Sequence, residues 1–269
     1  MEGSGNVVAW PGRAGRNGAE ARRKPLIEVR GLTVRKDGAA ALTDMTFVVY
    51  PSETLVLAGP RGSGKACLLR ALNRTLQAHR SLSVDGDIRF MGPQGPEDLA
   101  GEPRMGWVGP APEPITVSIY ETLAYAARRS GLSVGRDKMA MHVESCLRQA
   151  GLWDGVRGRL HSGAGSDLAP VDRQRLEIAR ALAGRPAVLL LNDPTRGLDT
   201  EDAARIEAVL EGLKGAYALI LATSLPQQAE RLANRMIFLE GGRIVDTWDR
   251  VHGGLPASPF ARAFLAADL

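Results

Sequence analysis

Gly59, Gly64 and Lys65 stand at the spacing G-x-x-x-x-G-K within GPRGSGK, and that spacing suits the holding of phosphate. Glycines let successive backbone N–H groups turn toward phosphate oxygens. A helix opening behind them offers its positive N-terminal end, and Lys65 adds a full charge at the outer phosphates. The candidate cradle is Gly59, Pro60, Arg61, Gly62, Ser63, Gly64, Lys65 and Ala66. A Ser or Thr hydroxyl belongs after the lysine, to coordinate Mg²⁺; Ala66 puts a methyl group there, which cannot ligate a metal. A second stretch, VLLLNDPTRGLD at 188–199, runs an apolar strand into Asn192 and Asp193. In nucleotide-hydrolysing enzymes such a strand ends in a metal-binding carboxylate, and here that position holds an amide.

The elements around these residues give them a context. TLVLAG (54–59) is a buried strand that leads into the glycine loop, and ACLLRALNRTL continues it as a helix. PLIEVRGLTV (25–34) and MTFVVY (45–50) read as strands, and Gly86-Asp87 as a turn before the strand IRFMG. Residues 92–104 are rich in Pro, Gly and acids, hence loop. IYETLAYAARRSG, KMAMHVESCLRQAGLW and AARIEAVLEGLKG carry apolar residues three and four apart, as helices do. VDRQRLEIARALAG is a helix closed by Gly184, and AVLLLN and YALILAT are further buried strands. MIFLEGGRIVD is a hairpin turning on Gly241-Gly242, and a short helix follows Arg250. Buried strands alternating with helices predict an α/β fold with a parallel or mixed sheet and helices on both faces. The helical block 119–165 interrupts that alternation as an inserted subdomain.

Composition narrows the class. At 269 residues, 44% hydrophobic and 24% charged, the chain suits one large α/β domain or two small ones. No apolar run approaches the ~20 residues needed to cross a bilayer, and the N-terminus lacks an apolar signal region. Two cysteines, Cys67 and Cys146, suggest no disulfide framework and fit a reducing cytosol. Residues 1–24 hold five cationic side chains against Glu2 and Glu20, a net +3 of the chain's +4. The tail is read as disordered. The nearly neutral remainder gives no reason to expect a nucleic-acid partner.

The order of motifs resembles that of ABC transporter ATP-binding subunits. The phosphate loop is followed by VGPAPEPITVSIYETLAY, by LHSGAGSDLAPVDRQRLEIARALAGRPAVLLLNDPTRGLD and by LILATSLPQQAERLANRMIFLEGGRIV, over about residues 25–250. The pattern from Pro112 to Tyr120, Leu152-Trp153, Leu160 to Gly163 and Gln227 to Ala229 is most similar to the phosphate-import members. The resemblance implies an ABC-type P-loop NTPase domain, 25–250, with a RecA-like core, an N-terminal antiparallel β part and the helical subdomain 119–165. The tail 1–24 and an extension 251–269 flank it. It implies ATP as ligand, a homodimer or heterodimer with a related ATP-binding subunit, an integral-membrane permease, and a place on the cytoplasmic face of the membrane.

Carried over residue by residue, the family's pattern is altered at most chemical positions. The adenine-stacking aromatic is absent from VRKDG, which offers Arg35 and Lys36. Pro110 stands where a glutamine touches the metal. The signature that faces the γ-phosphate across the dimer becomes Leu168-Ala169-Pro170-Val171-Asp172: no hydroxyl, one N–H fewer, added bulk and a negative charge. The same residues suit a plain helix start, with Pro at the first position and Asp in the first turn. Asn192 replaces the metal-binding carboxylate. Asp193 replaces the water-activating glutamate, one methylene shorter, and misplacement by about 1 Å can cost ~10²-fold in rate. Ser224 replaces the histidine that faces the γ-phosphate, while Asp199 is retained.

Three readings follow. In the first, the chain is an ABC-type pseudo-ATPase with regulatory or structural work, binding ATP weakly and without need of Mg²⁺, with no protein metal site. In the second it is a working ATPase that drives phosphate or other solute import, with Asp193 as the catalytic residue. In the third it is a folded remnant. Weaker features are Cys67, read as buried filler or a thiol activated by the helix start, and His161, Trp107 and Trp153, read as structural. Arg61 either adds charge to the loop or points to solvent.

Overall fold

The computed structural model describes residues 24–78, 81–92, 95–97, 105–112, 116–162, 167–251 and 253–267. The N-terminal tail expectation lies outside the described residues, as do parts of the motifs at 112–120 and 160–163 and most of the expected loop 92–104, in which Gly95–Glu97 form a strand instead, paired with Phe90–Gly92. The chain divides into two compact units, one formed by residues up to 103 together with 220–269, the other by 104–219.

The first unit carries an antiparallel sheet of β1 (Ile27–Lys36), β2 (Ala39–Val49), β4 (Leu82–Gly92) and β5 (Gly95–Glu97), in the order β2-β1-β4-β5. Alternation drives it: Ile27, Val29, Leu32 and Val34 of β1 and Leu42, Met45, Phe47 and Val49 of β2 are buried. The register slips between Val29 and Leu32, where Gly31 intervenes. The amide groups stranded by the slip are satisfied by threonines: Thr46 Oγ1 accepts from Gly31 N at 2.9 Å and Thr33 Oγ1 from Asp44 N at 3.1 Å. Gly86-Asp87 is not a turn but the interior of β4, with Asp87 opposite Arg30. At Gly86 a Cβ would lie 2.5 Å from Gly31 O, so glycine here serves close backbone approach across the slip. The second strand also begins earlier than MTFVVY suggests, at Ala39.

The same unit holds β3 (Thr54–Ala58), β9 (Arg235–Glu240), β10 (Arg243–Asp249) and the end of β8 (Ala218–Thr223), ordered β10-β9-β3-β8. β3 and β9 are parallel, β9 and β10 antiparallel, so the sheet is mixed. Gly241 and Gly242 have φ of 54° and 76° and turn the expected hairpin. Helices α1 (Lys65–Leu72), α7 (Pro226–Leu232) and α8 (Pro259–Leu265) complete it, with Phe264 of α8 edge-on to Phe238 at 6.1 Å. The helix α7 has no counterpart in the sequence reading.

The second unit pairs β6 (Met105–Val108) with β7 (Val188–Asn192) in parallel. It contains α2 (Ile119–Arg129), α3 (Arg136–Gln149), α4 (Trp153–Val156), α5 (Pro170–Ala183) and α6 (Thr200–Leu213). Ser118 caps α2 by accepting from Glu121 N. The helix expected to run on to Trp153 stops at Gln149. Gly151, at φ 65°, lets Leu152 N reach Leu147 O at 2.8 Å and Gly151 N reach Arg148 O at 3.0 Å, the two bonds of a Schellman stop. His142 Nε2 lies 2.9 Å from Ala183 O and ties α3 to α5. No helix of the described residues is long and apolar enough to cross a membrane.

Candidate functional site

The phosphate loop leaves β3 at Gly59, where φ is 151° and a Cβ would stand 2.2 Å from Leu239 O on β9. Any side chain there would drive the loop off the strand end. Pro60 and Arg61 are exposed, so Arg61 points to solvent, and Gly62 turns at φ 82°. Gly64, at φ 104°, is the N-cap of α1, which has no side-chain cap and no acid in its first turn. The leading N–H groups of α1 are therefore not taken by a cap and suit an anion. Lys65 is only 6% exposed, and its ammonium donates to Gly59 O at 2.6 Å, Pro60 O at 2.8 Å and Ser63 Oγ at 3.4 Å. The loop is also tied to the hairpin: Gly242 N donates to Ser63 O at 3.2 Å, and Thr43 N of β2 to Gly242 O at 2.8 Å. Ala66 is half-buried on α1. Burial pushes the Cys67 thiol up, with Arg70 pulling it part way down, so the helix start does not activate it.

Ser224 lies in this unit, half-buried in the bend after β8, where Thr223 Oγ1 accepts from Leu225 N. Arg35 and Lys36 are exposed at the end of β1.

The second unit holds the other sequence candidates. β7 is buried along its whole length and delivers Asn192, 7% exposed, at its end. Asp193 follows, half-buried with a φ of 45°, and its carbonyl accepts from Arg196 N at 3.0 Å. A positive φ in a residue with a side chain is strained and held only where the surroundings dictate it. Asp199 caps α6, its carboxylate accepting from Asp202 N at 2.8 Å. Ala169 is the N-cap of α5 without a side-chain bond, and Pro170 takes the first helical position. Leu168 and Val171 are buried, and Asp172 is paired with Arg175 at 3.2 Å. This segment is built as a helix start with two side chains turned to the core and its acid engaged locally.

Two features of the units escaped the sequence. Gln174, buried on α5, donates to Gly109 O at 3.0 Å and so fixes the loop after β6 that carries Pro110. Glu53, just before β3, and Arg235, opening β9, form a buried ion pair in which one guanidinium nitrogen lies 3.0 Å from each carboxylate oxygen. Neither has a local sequence signal. The lesser candidates are structural: His161 stands against Tyr120 with ring centres 4.6 Å apart, Trp153 carries the Arg148 guanidinium 5.1 Å from its ring centre, and Trp107 is half-buried in β6.

Among families, the model described as ABC transporter matches residues 42–196. A phosphate import ATP-binding protein of Streptococcus agalactiae serotype III is 35% identical over 229 residues, covering 83% of this chain and 89% of its own. One from Streptococcus pyogenes serotype M3 is 38% identical over 227 residues, covering 81% and 88%. Among solved structures, cbiO1 of Clostridium perfringens, part of the ABC transporter complex cbiONQ, superposes with a TM-score of 0.70 at 22% identity, covering 84% of this chain and 88% of that one. An ATP-binding subunit of an ABC transporter gives 0.68 at 24%, covering 84% and 91%. At those identities the structures speak for the fold, which is the ABC-type P-loop NTPase fold. The chain belongs to the ABC transporter family, as an ATP-binding subunit similar to those of phosphate importers.

Proposed function

We propose that this subunit binds ATP weakly through Gly59–Lys65, without dependence on Mg²⁺, and acts as a regulatory or structural member of an ABC transporter with little or no hydrolysis. One observation carries the reading: two of the positions at which the family's fold supplies oxygen ligands to the metal hold a methyl group, Ala66, and an uncharged amide, Asn192. The residues present do not fit the metal, and phosphoryl transfer relies on positioning and on neutralising charge. The cradle itself is intact: three glycines at positive φ, an uncapped helix start and a lysine inside the loop. The start of α5 supports the same reading, because Pro170 offers no N–H and Asp172 sets a carboxylate where the family meets the γ-phosphate. The names of the relatives support a phosphate-import setting. In the proposed arrangement the chain is a dimer with itself or a related ATP-binding subunit, docked on a permease at the cytoplasmic face, with 119–165 as the helical subdomain.

Calorimetric titration of ATP into the chain, with Mg²⁺ and again with EDTA, tests this directly. Binding indifferent to the metal and lost in Lys65→Ala is expected. A requirement for Mg²⁺ would sink the proposal. One observation favours the second reading, a working importer ATPase: Asp193 keeps a carboxylate directly after β7. Mg²⁺-dependent turnover that falls in Asp193→Asn would establish it.

A further inference from the structure

Three arginines from three helices of the second unit converge on one groove. Arg148 of α3, Arg175 of α5 and Arg205 of α6 line a hollow of about 370 Å³, and no carboxylate is among its lining residues. Each guanidinium is held by an acid that does not line the groove: Arg148 by Glu144 at 2.7 Å, Arg175 by Asp172 at 3.2 Å, and Arg205 by Glu201 at 2.6 Å and Asp202 at 3.2 Å. A guanidinium carries five N–H donors in a planar fork, so these pairs orient the groups and leave donors over. Arg175 Nε is buried with no hydrogen-bond partner among the described residues. The bare Gly151 leaves room beside it, since a Cβ there would lie 4.0 Å from that nitrogen. Val209 and Leu213, both buried, add an apolar wall.

Oriented arginine forks with spare donors match a phosphate group, whose oxygens accept two parallel N–H bonds. We propose that this groove is a phosphate-recognition site, for the group either free in solution or as a monoester whose organic part lies on the Val209 and Leu213 wall. The site is separate in sequence from the phosphate loop and does not depend on how ATP is handled there. It reaches the start of α5 through one shared side chain. A ligand that draws Arg175 away from Asp172 changes the charge presented at the first turn of that helix.

The test is calorimetry on the full chain at constant ionic strength, with inorganic phosphate in one arm and phenyl phosphate in the other. The variants are Arg148→Gln/Arg205→Gln and Lys65→Ala. Arg148 and Arg205 have side chains 56% and 50% exposed, so the double variant keeps its fold, which its melting curve verifies. Each lost charge-assisted bond is worth about tenfold in affinity. Phosphate affinity is therefore expected to fall at least about tenfold in the double variant and to persist in Lys65→Ala, while ATP titration shows the reverse pattern. Tighter binding of phenyl phosphate assigns the site to a monoester, and equal binding assigns it to free phosphate. Should the double variant bind phosphate as the parent does, or Lys65→Ala alone abolish binding, the anion belongs to the phosphate loop and the proposal falls. No heat at millimolar phosphate in either arm overturns it as well.

Discussion

Replacing Glu53 by Gln is expected to loosen the strand that launches the phosphate loop. The pair with Arg235 joins the start of β3 to the start of β9, and its side chains are 7% and 8% exposed. Tyr50 N adds a bond to Glu53 Oε1 at 2.7 Å, and Arg235 lies over the Tyr50 ring at 5.3 Å. Removing one partner of so buried a pair takes a counter-charge from the other and costs about 3–5 kcal/mol. At roughly 2–4 °C per kcal/mol for a chain of this size, Tm should fall by about 6–20 °C. Arg235→Met strands the carboxylate instead. Burial, the largest influence, already raises the Glu53 carboxyl above its ordinary value, and Arg235 and the Tyr50 N–H pull it part way back. The folded chain thus keeps this proton at a pH where the unfolded chain has lost it. Stability from this group is complete below the ordinary carboxylate value and lost as pH rises through the raised one. Without Arg235 that window extends upward, so the Arg235→Met deficit should be larger near pH 8 than near pH 5. Replacing both residues by apolar ones should recover most of the loss. Urea titrations of the four proteins at both pH values measure all of this. A Glu53→Gln cost below about 1 kcal/mol, in the range of exposed pairs, would refute the reasoning.

Other perturbations follow from the same geometry. Gly59→Ala places a Cβ against Leu239 O and should cost about 1–3 kcal/mol in backbone strain. It should weaken ATP binding at least tenfold by calorimetry, and unchanged binding would show that the loop does not need its seat on β9. Asp199→Ala removes the cap of α6 and should lower stability by about 1 kcal/mol in urea, a loss that tests its structural share whatever it does in a dimer. Burial pushes the Cys146 thiol up to about 12. Its stability contribution is therefore present below about pH 9 and lost as pH rises toward the folded value, roughly 1 kcal/mol by about pH 10. That slope should vanish in Cys146→Ala, and the native thiol should resist alkylation until the chain unfolds.

The phosphate loop was legible because its chemistry lies in seven consecutive residues and its strand and helix flank it directly. The strands β1, β3, β7 and β8 were legible because burial on one or both faces leaves an apolar signature along the chain. The four residues of β6, Met-Gly-Trp-Val, carry too little of that signature, and β7 recruits them as a parallel partner. Gly86 reads as a turn residue, yet its purpose is to let β4 pass Gly31, which only the pairing reveals. The end of α3 rests on Gly151, a single residue in a stretch whose apolar spacing continues to Trp153. The Glu53–Arg235 pair joins positions 182 residues apart and leaves no local trace. At the site, the residue types at 66 and 192 were plain in the sequence, whereas the engagement of Asp172 by Arg175 and of Gly109 by Gln174 needed the fold.

The bond from Gly242 to Ser63 has a consequence for synthesis. The phosphate loop is made early, but the hairpin that braces it comes 179 residues later, the distance from residue 63 to residue 242. Ribosomes add about 5–20 residues per second, so for roughly 10–40 s the loop exists without the hairpin or the β9 strand end that Gly59 abuts. ATP is then a poor early folding ligand for this chain: it can stabilise only a product that is already almost fully translated. Translation that stalls before residue 235 leaves a growing polypeptide whose β3 edge still awaits β9, and such chains are the ones that holding chaperones should retain.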